Sequence, residues 1–380
     1  MVTTGGPYAL GGSFPRGDGG GKVGSRQVRR VDRTVLVTGA ARQLSGRFVR
    51  QVRRHPAVSR VIAVDTRAPG YPLGEAEFVR ADIRQPSIVS ALAAHAVDTV
   101  VHLDLGPAPG PTGGRAAAKE RNVLGTLQLL GACQKLPTLR RLVIGSSTQV
   151  YGHPGRGPAV LDEDAPPTAA GGGGFAQDVA EIEEYVRGFA RRRPEVAVTV
   201  LRFAHLLGAG VDSPFAAYFR LPVLPTVLGY DPRLQFLHEH DALEVLGRAV
   251  AGPGDGAEEG EQGAALGPGT YNVAGEGVLL LSQAARRLGR PTVPVARPVT
   301  PWLGSALRAA GVRGVSAEQF ASLAHGRVVR TARLRAALGG PLEYTTAAAF
   351  AEFAAAHGGP LSPEAVTRAL DRVEEVVRRG

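Results

Sequence analysis

Cysteine and lysine are almost absent from this sequence of 380 residues. Cys133 is the single cysteine, so a disulfide within the chain and a cysteine-rich metal site are both excluded. Of the 44 basic residues only three are lysines, so nearly all of the formal net charge of +10 rests on arginine. These arginines are scattered over predicted helix faces, and only RQVRR at 26–30 forms a basic cluster. The pattern indicates a compositional bias and argues against a nucleic-acid-binding protein.

Long apolar runs are also missing. No segment approaches the length of a membrane span, and the N-terminal stretch has no hydrophobic signal core. We therefore expect a cytoplasmic protein with no membrane partner. The hydrophobic content of 44% is nevertheless enough for a large core, which favours one large α/β domain with a smaller substrate-side lobe.

Strand-like and helix-like patterns alternate from Thr34 onward, which predicts a parallel sheet covered on both faces. Strands are predicted at 34–38, 60–65, 77–80, 98–103, 140–146 and 197–203, and helices at about 45–54, 86–95, 115–135 and 175–192. A short strand ending near His238, a helix from Asp241 and a short strand at 269–275 follow. Further helices are predicted at 280–289, 303–310, 317–324, 331–338 and 362–378.

The stretch from Thr34 to Val49 predicts a turn that binds a dinucleotide. A buried strand leads into a tight turn at Gly39 and then into a helix, whose N-terminus would hold a pyrophosphate. Such a turn ordinarily needs three small residues, and here only Gly39 and, more loosely, Ser45 and Gly46 fit. Arg42 stands where a second glycine is expected. Its guanidinium would lie against the pyrophosphate or bind a 2′-phosphate.

Asp65 ends the second strand, roughly 25 residues after the glycine turn. A carboxylate at this place accepts both ribose hydroxyls of an adenosine and repels a 2′-phosphate, so NAD is favoured over NADP. NADP remains an alternative cofactor, because the guanidinium of Arg42 or Arg67 could bind its 2′-phosphate. The alternative role for Asp65 is to cap a helix. Asp82 and Ile83 follow the third strand, where a carboxylate receives the adenine amino group or caps a helix.

These observations predict a doubly wound, Rossmann-type α/β fold with a smaller C-terminal substrate lobe. Its expected parts are a disordered glycine-rich arm at 1–32, a dinucleotide-binding domain at 33–210 with return segments at about 234–251 and 269–275, a substrate-side lobe with C-terminal helices at 211–233 and 276–380, and a flexible loop at 252–268.

Short motifs spread from residue 35 to about 345 point to one family. They are VLVTGAA at 35–41, VIAVD at 61–65, ADI at 81–83, VVHL at 100–103, NVLGTLQLL at 122–130, SSTQVYG at 146–152, LRFAHLLG at 201–208, FLHEHDALE at 236–244 and YNVAGEG at 271–277. The chain resembles an extended short-chain dehydrogenase/reductase of the NAD-dependent epimerase/dehydratase kind, which acts on nucleotide sugars. The resemblance implies a nucleotide-sugar substrate, a homodimer built from two helices of each subunit, and an NAD site lined by Gly39, Ser45, Asp65, Asp82, Ile83 and Leu103. It also implies that Asn122 steadies the nearby helix and loop.

Members of that family move a hydride with a Ser/Thr–Tyr–Lys set, in which the tyrosine is the general acid or base and the lysine lowers its pKa. Ser147 matches the serine, four residues before Tyr151; its alternative role is a bond to the backbone at the strand end. On the next helix Phe175 falls at the tyrosine position and Val179 at the lysine position. No Tyr-x-x-x-Lys occurs anywhere in the chain, which puts the usual hydride transfer in doubt.

The predicted substrate side also departs from the family pattern. His205 stands where the family often has an asparagine near the phosphates of the substrate. Leu234 stands where an arginine that binds the diphosphate is common, with Arg233 beside it as a shifted replacement. Nearby, His238, His240 and Asp241 are residue types that bind metal ions. Their neighbours match the strand-to-helix corner of the family, so no metal is expected.

Asp104 is a further departure, because a small apolar residue normally follows the motif VVHL close to the cofactor. A carboxylate buried there needs a partner. We expect that partner to be Arg42, across the glycine turn.

Three functions remain open at this point. The first is an NAD-dependent enzyme of the epimerase/dehydratase kind with another proton donor: His205, Tyr151 or a group of the substrate. The second is a dinucleotide-binding sensor or scaffold without catalysis, and the third is a nucleic-acid-associated protein that uses the basic arm. The fold supports the first two equally. The missing Tyr–Lys pair favours the sensor or scaffold, whereas the presence of Ser147 and Asp65 leaves the enzyme as an alternative.

Overall fold

The computed structural model describes residues 32–107, 114–152, 158–167, 174–251, 265–296, 326–359 and 367. Its centre is a sheet of seven parallel strands. The first six in chain order are β1 (Arg33–Thr38), β2 (Val58–Asp65), β3 (Glu77–Arg80), β4 (Thr99–His102), β5 (Arg141–Ser147) and β6 (Ala197–Phe203). Their spatial order is β3-β2-β1-β4-β5-β6, with a seventh strand, Gly269–Val273, beside β6. This order confirms the predicted doubly wound sheet of the Rossmann type.

Helices lie on both faces of the sheet. They are α1 (Gln43–Val52), α2 (Ser87–Ala94), α3 (Arg115–Lys119), α4 (Gly125–Gln134) and α5 (Phe175–Arg192), with a π-helical turn, Glu120–Leu124, between α3 and α4. Val35 and Val37 of β1 pack into one apolar cluster and Leu36 into another, so alternate side chains face opposite helix layers. This explains why strand and helix periods were legible in the sequence. Cys133 of α4 is fully buried, and burial raises the pKa of its thiol to about 12.

The remaining elements build the second lobe and the return to the sheet. They are β7 (His205–Leu207), α6 (Pro214–Phe219), β8 (Leu224–Val227), β9 (Arg233–Leu234), β10 (Phe236–His238), α7 (Glu239–Ala251), β11 (Gly269–Val273), β12 (Leu279–Leu280), α8 (Leu281–Leu288), β13 (Thr292–Val295), α9 (Ala332–Leu338) and α10 (Thr346–His357). The helices predicted at 280–289 and 331–338 are confirmed as α8 and α9. The predicted helices at 303–310, 317–324 and nearly all of 362–378 lie outside the described residues, as do most of the predicted arm and of the predicted loop at 252–268.

Helix α10 was not predicted, nor were the short elements β7, α6, β8 and β13. The two large apolar residues of α10, Phe350 and Phe353, have ring centroids 5.2 and 6.1 Å from that of Phe219 on α6. Together these rings belong to an aromatic cluster, which we define as Phe215, Tyr218, Phe219, Phe236, Phe350 and Phe353. This cluster holds the second lobe together. Nowhere in the described ranges does a helix have both the length and the apolar composition needed to cross a bilayer.

Candidate functional site

A cleft opens beyond the carboxyl ends of the central strands, where ligands of doubly wound sheets bind. The space within it, together with the open solvent at its mouth, is about 1120 Å³. Its lining includes the start of α1 and the loop after β4 as well as the ends of β5 and β6. Six residues singled out from the sequence meet there: Arg42, Ser45, Leu103, Ser147, Phe175 and His205.

Gly39 gives the glycine turn its shape. It has a φ of +74°, and a β-carbon on it would lie 3.0 Å from the Cα of Asp104. Both facts require glycine at this position. Helix α1 starts at Gln43, has no acidic residue in its first turn and is not capped by the side chain of Arg42. The first N–H groups of α1 therefore point toward the cleft as donors for an anion.

Arg42 pairs with Asp104, as the sequence predicted. The Arg42 Nε donates to Asp104 Oδ1 over 2.9 Å. The guanidinium also rests on Gly106, because a β-carbon added to Gly106 would overlap its Nη1 atom. Arg42 thus connects the glycine turn to the loop that follows β4.

Gly46 is small for a reason that the sequence did not reveal. A β-carbon on Gly46 would overlap the side chain of Tyr71. The Tyr71 hydroxyl lies 2.8 Å from the carbonyl oxygen of Ala40 and 2.7 Å from that of Arg42, and its single proton serves one of them at a time. Burial raises the pKa of this hydroxyl, so it stays a donor. Tyr71 lies in the loop after β2, where no local pattern marks it as a contact of the glycine turn.

Asp65 sits at the end of β2, as predicted, and its carboxylate holds two backbone groups. Its Oδ2 accepts from the N–H of Ala41 over 2.9 Å, and its Oδ1 accepts from the N–H of Arg67 over 3.1 Å. Thr66 Oγ1 also donates to Oδ1, over 3.4 Å, so of about four acceptor positions on the carboxylate one remains, on Oδ2, for a ribose hydroxyl.

Asp82 and Ile83 follow β3, and each has a partner of its own. Arg84 donates to both oxygens of Asp82, with Nε–Oδ1 at 3.0 Å and Nη2–Oδ2 at 2.6 Å, and this pairing lowers the pKa of Asp82. Ile83 packs against Gly125 at the start of α4, where a β-carbon would lie 2.9 Å from its Cδ1. Arg84 was missed in the sequence, although it lies only two residues from Asp82.

Asn122 fixes the loop after β4. Its Nδ2 donates to the Gly106 carbonyl over 3.1 Å and to Asp178 Oδ2 over 3.0 Å, and its Oδ1 accepts from the Gly106 N–H over 3.3 Å. Arg115 in turn donates to Asp178 over 2.8 Å. These contacts match the steadying role that the family resemblance implied for Asn122.

His102 lies beneath this loop, and the sequence gave no reason to single it out. Burial lowers the pKa of His102 to about 3, so the ring is neutral at physiological pH. Thr126 Oγ1 donates to the Asn122 carbonyl over 2.5 Å, which leaves it to accept from His102 Nε2 at 2.9 Å. The other nitrogen, Nδ1, then accepts from Thr38 Oγ1 at 2.7 Å. The contacts assign the tautomer and tie β1, β4 and α4 together.

Ser147 and Phe175 face the same cleft. Ser147 Oγ accepts from the N–H of Gln149 over 3.2 Å and caps the short 3₁₀ turn Thr148–Tyr151, which leaves its hydroxyl proton for another partner. Phe175 is the first residue of α5 and is 5% exposed. Val179, one turn further along α5, is fully buried in the apolar core and does not line the cleft.

Tyr151 faces the interior. Its hydroxyl donates to Asn272 Oδ1 over 2.8 Å and accepts from Arg202 Nη1 over 2.7 Å, and burial raises its pKa. Arg202 also donates to Glu183, whose Oε1 accepts from the hydroxyl of Ser146 over 2.6 Å. We refer to Ser146, Tyr151, Glu183, Arg202 and Asn272 as the buried polar network. Its bonds remove Tyr151 as a proton donor for a ligand in the cleft.

His205 lines both the cleft and a narrow adjoining pocket. Burial and, to a smaller degree, the charge of Arg327 lower the pKa of His205 to about 3, so its imidazole is neutral and has no acid proton to give near neutral pH. Arg233 and Arg327 line the same pocket, and Arg327 Nη2 donates to the Gly152 carbonyl over 2.6 Å. Arg327 was missed because it is distant in sequence from every other residue of the site.

The trio at the corner between β10 and α7 serves the fold. His238 and His240 each have a glutamate oxygen at 3.1 Å, from Glu352 and Glu343. Asp241 accepts from the N–H groups of Glu343 and Tyr344, both at 3.1 Å. Across the described residues, no group of three or more histidine, cysteine or acidic side chains is arranged to hold a metal ion.

Comparison with known proteins agrees with the Rossmann-type fold. The family model described as the NAD dependent epimerase/dehydratase family matches residues 35–260. An uncharacterized protein of Mycobacterium tuberculosis is 43% identical over 325 residues, which cover 84% of this chain and 83% of that protein. Among solved structures, MoeE5 in complex with UDP-glucuronic acid and NAD has a TM-score of 0.63 at 22% identity, over 85% of this chain and 98% of MoeE5. UDP-glucuronic acid 4-epimerase from Bacillus cereus in complex with NAD has a TM-score of 0.60 at 15% identity, with the same coverage of 85% and 98%. At these identities the structural matches show a shared fold.

Proposed function

This chain belongs to the NAD-dependent epimerase/dehydratase family of extended short-chain dehydrogenase/reductases, and on that premise we propose that it is a cytoplasmic NAD-binding protein that does not use the family's Tyr–Lys chemistry. One observation carries the proposal. Ser147 and Phe175, at the family's serine and tyrosine positions, line the same cleft, whereas Val179, at the lysine position, is buried in the apolar core. We propose a sensor or scaffold role, in which bound dinucleotide is read as a signal.

The cofactor side fits a dinucleotide. The N–H groups at the start of α1 would hold the pyrophosphate, and the conformation of Gly39 keeps the approach to them open. Asp65 would accept a ribose hydroxyl while it holds Ala41, and its charge disfavours the 2′-phosphate of NADP. NAD, when bound, supplies a hydride acceptor. The residues of this chain would bind and orient it.

The catalytic side has Phe175 where the family has its tyrosine, so the family's usual proton donor is missing from that position. A phenyl ring has no proton to give, and the losses typical for a missing general acid or base are about 10² to 10⁴ in rate. Neither predicted substitute repairs this, because Tyr151 is engaged in the buried polar network and His205 is neutral. The hydroxyl of Ser147 still faces the cleft, so the alternative is an enzyme in which the substrate itself supplies the proton.

We propose a nucleotide sugar as the second ligand. MoeE5 and the Bacillus epimerase are described with UDP-glucuronic acid, UDP-glucose or NAD bound. In this chain the adjoining pocket, with Arg233 and Arg327, offers positive charge next to the cleft. A phosphate group at the mouth of this pocket would meet these arginines, which would replace the family arginine whose position Leu234 occupies.

Calorimetric titration with NAD, NADH, NADP and NADPH tests the cofactor proposal directly. We expect NAD or NADH to bind and UDP-glucose and UDP-glucuronic acid to remain unconverted by the loaded protein. Turnover of a nucleotide sugar at rates within tenfold of a family member that has the Tyr–Lys pair would establish the enzymatic alternative. Failure to bind any dinucleotide would overturn the sensor role and the enzyme role together.

Asp65→Ala is expected to weaken NAD binding by roughly 1–3 kcal/mol, the scale of hydrogen bonds to a charged group. That corresponds to about 5- to 150-fold in dissociation constant, measured by the same titration. Asp65→Asn keeps an acceptor for the Ala41 N–H but loses the charge, so it separates a ribose contact from a purely structural role. Asp164→Ala, which removes an exposed partner of Arg333, is the matched control and should leave the affinity unchanged. Equal affinities for the Asp65 variants and the parent would reduce Asp65 to a support of the turn.

We also propose a homodimer formed through the outer face of the 115–134 helical segment. Leu124 and Leu127 are 50% and 41% exposed there, three residues apart, so they share one helix face that a second copy of the chain would cover. Sedimentation should give twice the mass of the chain, and Leu127→Glu should shift the equilibrium toward the monomer. Leu228→Glu, at a residue 61% exposed elsewhere, is the control and should leave the dimer intact. A monomeric parent protein at micromolar concentration would contradict the proposal.

A further inference from the structure

The side chain of Gln43 joins the start of α1 to the loop at 208–213, which we call the rim loop. Gln43 is the first residue of α1 and lines the cleft. Its Nε2 donates to the carbonyl of Gly210, and its Oε1 accepts from the N–H of Asp212 over 2.8 Å. The rim loop thus offers one acceptor and one donor, and a carboxamide is the side chain that pairs with both. The same pairing decides which end of the amide is the nitrogen.

The rim loop connects β7 to α6 and forms part of the wall opposite α1. Three of its residues line the cleft: Val211, Asp212 and Ser213. Near its start, the N–H of Ala209 donates to Glu352 Oε1 of α10 over 3.2 Å. At its end, Ser213 Oγ caps α6 by accepting from the N–H of Ala216 over 3.2 Å. The rim loop is therefore bound to the second lobe at both ends and to α1 in its middle.

Arg47 adds a second contact from the next turn of α1. Gln43 and Arg47 are four residues apart, so they lie on one face of the helix. A β-carbon on Gly210 would lie 3.1 Å from Arg47 Nη2, so the helix and the rim loop are close along this face. Arg47 also pairs with Glu239 at the start of α7, which keeps its guanidinium in place.

The bonds of Gln43 depend on the first turn of α1. The N–H groups of a first helical turn have no partner within the helix, so this turn opens more readily than the turns that follow. When it opens, the side chain of Gln43 leaves the rim loop. A ligand that accepts from those N–H groups holds the turn closed and therefore keeps both bonds of Gln43 in place.

We propose that Gln43 is a latch, which transmits occupation of the dinucleotide side of the cleft to the rim loop and to the start of α6. With the latch closed, a second ligand meets a wall that is already ordered, so it binds with a smaller loss of conformational entropy. By linkage, the second ligand then raises the affinity for the dinucleotide by the same factor. The transmission rests on the proposed function, since it takes NAD as the occupant, whereas the latch itself does not.

Hydrogen exchange followed by mass spectrometry tests the latch, in peptides that cover the rim loop and α6. Gln43→Met keeps the length of the side chain and removes both bonds. Without ligand, we expect this variant to exchange at least about fivefold faster than the parent in both peptides, the scale of one lost hydrogen bond. The peptide from α6 is the informative one, because both bonds of Gln43 end in the rim loop.

Gln51→Met is the matched control. Gln51 is exposed in the last turn of the same helix, so the identical substitution there should leave exchange in both peptides unchanged. Gln43→Ala is the second variant and should repeat the result of Gln43→Met. Methionine and alanine both favour helix, so neither change weakens α1 by itself. Circular dichroism and thermal unfolding check that each variant is folded.

The same exchange with saturating NAD tests the transmission, and calorimetry measures NAD binding separately. We expect NAD to slow exchange in both peptides of the parent by about fivefold, the lower end of typical coupling between sites. In Gln43→Met, bound NAD should leave these peptides unprotected. Equal slowing in the parent and in Gln43→Met would overturn the transmission, because NAD would then protect the rim loop without Gln43.

The ligand-free comparison decides the latch by itself. Exchange in α6 that is the same in Gln43→Met, Gln43→Ala and the parent would show that the rim loop is held without Gln43, and the proposal would be wrong. If the parent binds no dinucleotide, the proposed function fails, while the latch stands or falls by this comparison.

Discussion

Replacing Arg202 by alanine should lower the free energy of unfolding by about 3–5 kcal/mol, because the buried carboxylate of Glu183 loses its close counterion and keeps the half-exposed Arg187, 4.0 Å away. The side chains of Arg202 and Glu183 are 4% and 2% exposed, with Nη2 and Oε2 2.6 Å apart. Arg202 also donates to the hydroxyl of Tyr151, so the change leaves one further polar group of the buried polar network with fewer bonds. We expect chemical denaturation to show this loss as a lower midpoint.

The double variant Arg202→Met with Glu183→Leu should regain most of the lost stability, since it buries no charge at all. Arg60→Ala is the surface control. Its partner Glu77 lies 2.6 Å away but both side chains are more than 40% exposed, so the effect should stay within about 0.5 kcal/mol. A loss below about 1 kcal/mol for Arg202→Ala would show that water enters the buried polar network and compensates the charge.

Phe219→Ala is expected to cost a similar amount, about 3–5 kcal/mol, through the cavity that it leaves in the aromatic cluster. Phe219 is fully buried, and its ring lies 6.0 Å from Phe236, 5.2 Å from Phe350 and 6.1 Å from Phe353 between centroids. These partners belong to β10, which follows α6 closely in the chain, and to α10, which lies more than a hundred residues further on. The change should therefore loosen the whole second lobe.

Thermal unfolding measures this effect, and Phe219→Leu should lose clearly less because it keeps most of the apolar volume. Tyr230→Ala, which removes an aromatic side chain that is 39% exposed, is the matched control for loss of a ring outside the aromatic cluster. If Phe219→Ala and Tyr230→Ala cost the same, α10 does not depend on Phe219 for its packing.

The fold was predictable wherever a pattern of neighbouring residues decided it. The strands at 77–80 and 197–203 and the helix at 175–192 have the predicted bounds, because their apolar periods and flanking turns are local signals. Helix α10 escaped prediction since ten of its twelve residues are small, polar or charged, and its two phenylalanines make no visible period. What stabilises it is contact with Phe219, which lies more than a hundred residues away in the chain.

The residues of the candidate site also fall into those with a local sequence signal and those without one. Gly39, Asp65 and Ser147 were found from short motifs, and the pairing of Arg42 with Asp104 followed from the need of a carboxylate for a partner. Tyr71 and Arg327 were missed because each reaches the site from a distant loop. Their contacts, with the carbonyl of Arg42 and with that of Gly152, depend on tertiary structure alone. The roles of the cofactor-binding residues stay predictions until a ligand is measured.

Because Cys133 is buried, the reaction of its thiol with a reagent reports when the native packing opens. The thiolate is the form that attacks thiol reagents, and a pKa of about 12 leaves almost none of it in the native protein at neutral pH. Because no other cysteine occurs in the chain, every labelled molecule is one in which the packing around Cys133 has opened. The labelling rate therefore follows the population of open molecules, without any engineered probe. A ligand that binds only the closed molecule slows that rate in proportion to its occupancy, so the same thiol reports on the cleft from the far side of the sheet.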